Sequence, residues 1–178
     1  MSGQVSTDQD LWVSWDEYHQ LIERLALTVH DSGWAFDQIL CLARGGLRVG
    51  DVLSRIFDRP LAILSTSSYR GVGRTEQNEL ILSASISSTA GPPQGRVLVV
   101  DDLADSGATL GAVIAHLSSD FPNIRAMRTA VIWWKARSSF VPDFYVQKLP
   151  HNPWIHQPFE RYDMSSPQDL GCLPEKRD

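Results

Sequence analysis

The 178-residue chain has only two cysteines, Cys41 and Cys172, with no Cys-x-x-Cys pair and no other metal-ligand spacing. That scarcity excludes a disulfide framework and a zinc site, and it fits two reduced thiols in a cytoplasmic protein. Apolar runs near 18 residues are missing too, so no membrane span is expected. The first ten residues, MSGQVSTDQD, lack the basic and apolar regions of a secretory signal. Positive charge is in short supply: 16 Lys and Arg against 21 Asp and Glu leave a formal net charge of -5. No sequence-wide basic field argues for nucleic acid, and no nucleic-acid partner is expected. Neither Gly-Lys-Ser nor Gly-Lys-Thr occurs anywhere, which excludes a P-loop.

What is present is an ordinary globular composition, 43% hydrophobic and 21% charged, at a length that supports one domain with a real core. Ser14-Trp15-Asp16-Glu17 reads as a capping box, and Tyr18, Leu21, Ile22, Leu25 and Val29 follow at helical spacing, so an amphipathic first helix is expected. QILCLA, residues 38 to 43, reads as a buried strand ending in the tight loop Arg44-Gly45-Gly46. A second helix then carries Val49, Val52, Leu53, Ile56 and Phe57. Leu61 to Leu64 is another short strand candidate. The polar, glycine-bearing stretch that follows, as far as residue 79, reads as a long functional loop.

Val97 to Val100 is the most buried-looking strand, and Leu110, Val113, Ile114 and Leu117 mark a helix after it. Thr129 to Trp134 is a further strand. Strands alternating with helices imply an α/β fold with a mostly parallel twisted sheet flanked by helices. Ligands in such sheets sit beyond the carboxyl ends of the strands, the edge where Arg44-Gly45-Gly46 and residues 101 to 109 both fall. No internal repeat or low-complexity segment appears.

VLVVDDLADSGATL, residues 97 to 110, sets three carboxylates just before a helix start. A helix N-terminus offers unpaired N–H groups and partial positive charge. In Asp105-Ser106-Gly107-Ala108-Thr109 the small side chains would let a phosphate approach the backbone, with Ser106 and Thr109 adding hydroxyls. Carboxylates beside a phosphate would repel it unless they face something else, either a divalent cation or the hydroxyls of a sugar. A ribose phosphate with Mg2+ supplies both, because Mg2+ bridges one or two carboxylates to phosphate oxygens. Paired aspartates ending a strand can also simply solvate the sheet edge and cap the next helix. The acidic pocket of response regulators is a poor match, since it needs its acidic pair near the first strand and a phosphoacceptor two strands later.

Hydrophobic strand, Asp101-Asp102, two residues, then Asp105-Ser106-Gly107-Ala108-Thr109 resembles the phosphoribosyl pyrophosphate motif of type I phosphoribosyltransferases. VSWDEYHQLIERLA with ILCLARGGLRVGDVLSR resembles the first helix and pyrophosphate loop of bacterial xanthine-guanine phosphoribosyltransferases. DFYVQKLPHNPWIHQPFE is similar to their base-binding hood, so the likeness covers about residues 12 to 160. It implies a type I phosphoribosyltransferase fold with a small hood, one domain over 1–160, and a tail over 161–178 that has no counterpart.

By that resemblance Arg44 and Gly45 would bind the pyrophosphate, and Asp105, Ser106, Gly107, Ala108 and Thr109 the 5′-phosphate. Asp101 and Asp102 would hold the ribose hydroxyls, with Asp102 touching Mg2+. Lys135 would hydrogen-bond the 6-oxo group of a purine, Trp154 would stack on the base, and the backbone of Ile155 would meet its edge. Asp105 would act as general base or proton relay, and Arg74 as the basic residue closing over phosphoribosyl pyrophosphate. The implied reaction is purine salvage: transfer of ribose 5-phosphate to guanine, xanthine or hypoxanthine, in a homo-oligomer, dimer or tetramer.

Three stretches depart from that pattern. The loop after Ser67-Ser68-Tyr69 is glycine-rich, with only Arg70 and Arg74 as basic candidates. SSDFPNIRAMR, before the Lys135 strand, is longer than the resemblance implies, and the tail has no match. A non-catalytic regulator on the same fold, sensing a purine or phosphoribosyl pyrophosphate, is the alternative reading.

Overall fold

The structure is a computed structural model that describes residues 10–68 and 80–170. The chain divides into two compact units, Leu21–Asn152 and a smaller one made from the two ends, up to Gln20 and from Pro153 on.

The larger unit is built on a seven-stranded sheet. Its strands are β2 (Gln38–Ala43), β3 (Leu61–Ser68), β4 (Leu80–Ser88), β5 (Gly95–Val100), β6 (Leu103–Ala104), β7 (Ile124–Lys135) and β8 (Phe144–Leu149). They run in the order β4-β3-β2-β5-β7-β6, with β8 also pairing with β7. Every pairing is parallel except β3 with β4 at one edge. The α/β class and the mostly parallel sheet expected from the alternation are therefore what the chain adopts.

β2, β5 and the middle of β7 read as unbroken apolar runs because both faces of the sheet are covered there. Ile39 to Leu42, Val97 to Val100 and Ala130 to Trp133 are all essentially inaccessible. Helix α2 (Gly46–Phe57) packs on β2 closely enough that a Cβ on Gly50 would lie 2.5 Å from the Cβ of Cys41. Burial pushes the Cys41 thiol up to about 12, so almost none of it is the reactive thiolate at neutral pH. A maleimide is accordingly expected to leave residue 41 unlabelled in the native protein and to label it in denaturant, as read by peptide mapping. Labelling at equal rates in both states contradicts this packing.

Helix α1 (Trp15–Asp31) starts where the capping box predicts, with the Glu17 amide donating to Ser14 Oγ at 3.2 Å, and it buries Tyr18, Leu21, Ile22, Leu25 and Val29. Helix α3 (Ala108–Asp120) follows the acidic stretch. SSDFPNIRAMR makes no long loop. It lengthens α3 and the twelve-residue β7, with one tight turn between them.

In the smaller unit, β1 (Leu11–Trp12) pairs in parallel with β9 (Ile155–His156). Beyond them, a 3-10 turn over Glu160–Met164 and α4 (Pro167–Leu170) are the described part of the tail. Among the described residues, no helix is long and apolar enough to cross a membrane.

Candidate active site

β2, β5 and β7 are parallel neighbours, so the loops after them emerge at one sheet edge. Arg44, Gly45, the acidic stretch and Lys135 meet there. The fit between the first two loops is tight: a Cβ on Gly45 would sit 2.5 Å from Asp102 Oδ1, and one on Gly46 2.5 Å from the Val100 carbonyl oxygen. Only glycines allow the Arg44 loop to lie against the acidic pair. Arg44 is exposed at this rim, and its peptide bond to Ala43 is cis.

α2 and α3 both begin at this edge, and neither has an acidic residue in its first turn, whereas α1 has Asp16 and Glu17. The α2 N-terminus instead meets the acidic pair in space: the Gly46 amide bonds the Asp101 carboxyl, and Asp102 packs against Gly45. At α3 the turn is shaped by Gly107, which caps the helix at φ 83°, and by Ser106, whose Oγ accepts the Ala108 amide at 3.3 Å. Ser106 and Ala108 are exposed, Thr109 is partly so, and Gly107 is buried against Phe140.

The acidic pair is locked into the sheet. The Asp101 amide donates to Ala130 O at 3.1 Å, and Asp102 O accepts from the amides of Ile132 and Trp133 at 3.0 and 3.1 Å. Asp101 Oδ1 accepts the Asp102 amide at 3.0 Å. Burial of its carboxyl, together with the neighbouring Asp102, pushes Asp101 well above the ordinary carboxylate range. Leu103–Ala104, expected to be loop, is a short strand paired with Trp133 and Trp134, and it carries the chain from the acidic pair to Asp105.

Lys135, at the end of β7, is 5% exposed, and its Nζ lies 3.3 Å from Asp105 Oδ1. Sequence reasoning missed the residue that completes this cluster. Arg137 grips Asp105 with Nε on Oδ1 at 2.7 Å and Nη2 on Oδ2. Burial pushes the Asp105 carboxyl up, but the bonds and charges of Arg137 and Lys135 outweigh it and hold the group below the ordinary carboxylate value. The one available signal was Lys-Ala-Arg at a strand end, which by itself reads as solvated charge.

Trp154 and Ile155 lie in the smaller unit. Trp154 is 58% exposed, while Ile155 is buried opposite Leu11. The carbonyls of Trp154 and His156 accept the Leu11 and Val13 amides at 2.8 and 3.1 Å. Strand alternation turns the N–H and C=O of Ile155 to the side away from β1. Arg74, with the rest of residues 69–79, lies outside the described residues, as do residues 171–178. Among the described residues no three His, Cys, Asp or Glu gather as a metal cage.

A family model described as phosphoribosyl transferase domain matches residues 14–163. The chain is 28% identical over 149 residues to a xanthine-guanine phosphoribosyltransferase of Gluconobacter oxydans, covering 83% of each chain. Among solved structures it is similar to a purine phosphoribosyltransferase of Pyrococcus horikoshii, with TM-score 0.69 and 29% identity over 84% of this chain and 93% of that one. A Helicobacter pylori xanthine-guanine-hypoxanthine phosphoribosyltransferase shares the fold, with TM-score 0.73 and 23% identity over 93% and 100% of the two chains.

Proposed function

The chain belongs to the phosphoribosyl transferase domain family, and from that membership we propose that it joins the ribose 5-phosphate of phosphoribosyl pyrophosphate to a 6-oxopurine, releasing pyrophosphate. The observation that carries this reading is the convergence at one sheet edge of the α2 and α3 N-termini, an acidic pair packed against the first of them and the Asp105–Lys135 ion pair.

Each part of that ligand finds a matching group. The amides and hydroxyls of residues 106 to 109 take the 5′-phosphate at the α3 N-terminus, and Arg44 and Gly45 take the pyrophosphate at the α2 N-terminus. Asp101, reluctant to ionise, donates or accepts a hydrogen bond with the ribose diol as needed, and Asp102 lies beside it. Mg2+ suits this donor set, because it is held by one or two carboxylates with phosphate oxygens and water completing its shell. Asp102 would be its contact, and the missing Cβ of Gly45 is what gives that carboxylate its room. When bound, the ion would offset charge on the pyrophosphate.

In the transfer, a purine nitrogen forms the bond to C1 of the ribose as the C1–oxygen bond to pyrophosphate breaks, its electron pair leaving with the pyrophosphate. The proton on the imidazole part of the purine passes to Asp105. Arg44 stabilises charge developing on the departing group. Lys135 donates to the 6-oxo group, while an amino group at that position would meet the ammonium donor to donor. Trp154, in the smaller unit, carries an exposed aromatic face of the kind on which bases stack, an interaction worth about 1–3 kcal/mol in single-strand binding.

The test is nucleotide formation from Mg2+, phosphoribosyl pyrophosphate and each of guanine, xanthine, hypoxanthine, adenine and uracil. The expected result is product from at least one 6-oxopurine, with adenine slower by about 10²-fold or more in kcat/KM. A preference for adenine removes the role given to Lys135. Tight ligand binding without product from any base identifies a regulator in place of an enzyme.

A further inference from the structure

Arg137 has no part in the transfer as derived above, yet it holds the carboxylate on which that transfer depends. Its Nε and Nη2 make a bidentate fork on the two oxygens of Asp105, and Lys135 Nζ meets Oδ1 at 3.3 Å. Both oxygens are committed to cations, and two positive charges face one negative. A planar fork fixes the orientation of a carboxylate in a way that a single ammonium does not.

The backbone that presents Arg137 is tied down on several sides. The Ala136 amide donates to Leu149 O at 2.9 Å, the Arg137 amide to Asn152 Oδ1 at 3.2 Å, and the Ser138 amide to Lys135 O at 3.0 Å. Two residues past Arg137, both the amide and Oγ of Ser139 donate to Ser106 O, at 2.9 and 3.1 Å. The following Phe140 lies against Gly107. Exposed ion pairs are weak largely because two long side chains must be held in one geometry. Here the arginine is launched from a fixed backbone, and the loop that carries it also braces the turn at the start of α3.

We propose that Arg137 is a positioning residue, which fixes the Asp105 carboxylate with Oδ1 toward Lys135 on a support shared with the Ser106–Gly107 turn, so that proton acceptor and 6-oxo donor stand at a set spacing before the purine arrives. This rests on the reading of Asp105 and Lys135 given under Proposed function. The charged groups acting on Asp105 are Lys135, at the end of β7, and Arg137, in the loop beyond it. Loss of the guanidinium leaves Lys135 alone to oppose the burial of the carboxyl. The carboxyl of Asp105 then keeps its proton to higher pH, and the acid limb of the reaction moves with it.

The experiment follows the Asp105 carboxyl by NMR in the full chain labelled with 13C-aspartate, the resonance being assigned by its loss in Asp105→Asn. The midpoint is expected to move up in Arg137→Gln and by less in Arg137→Lys. The acid limb of kcat/KM for the purine is expected to move in the same order, with the dissociation constant of phosphoribosyl pyrophosphate unchanged. An Asp105 midpoint identical in Arg137→Gln and the unsubstituted protein overturns the proposal. So does weaker phosphoribosyl pyrophosphate binding with an unmoved midpoint, which makes Arg137 a phosphate ligand instead. The carboxyl titration needs no turnover, so a protein that forms no nucleotide loses the proposed activity while the titration still decides the role of Arg137.

Discussion

Asp105→Asn is expected to lower kcat for nucleotide formation by about 10²- to 10⁴-fold, the range over which a positioned acid or base contributes. The substitution keeps the shape of the side chain, and its amide oxygen can still accept from Lys135 or Arg137. It cannot take a proton. Binding of phosphoribosyl pyrophosphate is expected to survive, because in the proposed site the phosphate contacts come from residues 106 to 109 and from Arg44. Steady-state kinetics with the preferred base, beside a direct binding measurement, separate the two effects. Full turnover with intact binding would leave Asp105 a purely structural counter-ion for Lys135 and Arg137.

The same carboxyl ties the site to the stability of the fold. A group held lower in the folded than in the unfolded chain adds stability at pH values above its unfolded value of 3.8 and loses it as the pH falls through the folded one. Asp105 behaves this way, and protonating it also leaves Lys135, almost wholly buried, without its counter-charge. Asp101 acts in the opposite sense. Its raised value means that the folded chain binds a proton that the unfolded chain has already released, so ionising it at neutral pH works against folding. Two acids four residues apart therefore pull on stability in opposite directions. Only Asp101 costs the fold stability, and carboxyls perturbed in that sense cluster at functional sites.

How far this could be read from the sequence depended on the range over which the physics acts. α1 was legible because its signal is local: a serine oxygen three residues from the amide it caps, then an apolar stripe at helical period. β2 was legible because a run of apolar residues ends at two glycines, and both strand and glycines are required where α2 presses on Val100 and Asp102. The acidic stretch stood out because three carboxylates crowd the start of a helix, where like charges repel unless something faces them. β6 did not stand out. Two residues between acids carry no period, and only the partner strand β7 makes them a strand. β1 and β9 fail for the same reason, being two-residue strands from opposite ends of the chain. Arg137 finds its partner 32 residues away, across a sheet pairing that nothing in Lys-Ala-Arg encodes. The residues proposed to bear the chemistry were thus visible, and those that hold them in place were visible only in three dimensions.

Gly107→Ala is the substitution expected to damage both the fold and the site most. Gly107 sits at φ 83°, where an L side chain costs about 1–2 kcal/mol. Its Cβ would also lie 2.6 Å from both the Cβ and the amide nitrogen of Phe140, and 2.7 Å from Ser138 Oγ. Two of those three neighbours are backbone or next to it, so the loop after Lys135 must shift, at a further cost of about 1–3 kcal/mol. For a chain of this length the sum corresponds to a fall in Tm of about 5–15 °C. That loop carries Arg137 and bonds to Ser106 O, so the displacement reaches the proposed phosphate cradle and the Asp105 clamp together. A misplacement of about 1 Å at such a site costs on the order of 10²-fold in rate. Gly91→Ala supplies the control. Gly91 has nearly the same backbone, φ 86°, with nothing within 4 Å of where its Cβ would go. It is expected to show the conformational cost alone, a Tm lower by a few degrees, with kcat and the KM for phosphoribosyl pyrophosphate unchanged. Equal losses of stability and activity in the two variants would mean that the Phe140 contact carries no load. A wide gap between them measures how much of the site's geometry passes through the contact between Gly107 and the loop that holds Arg137.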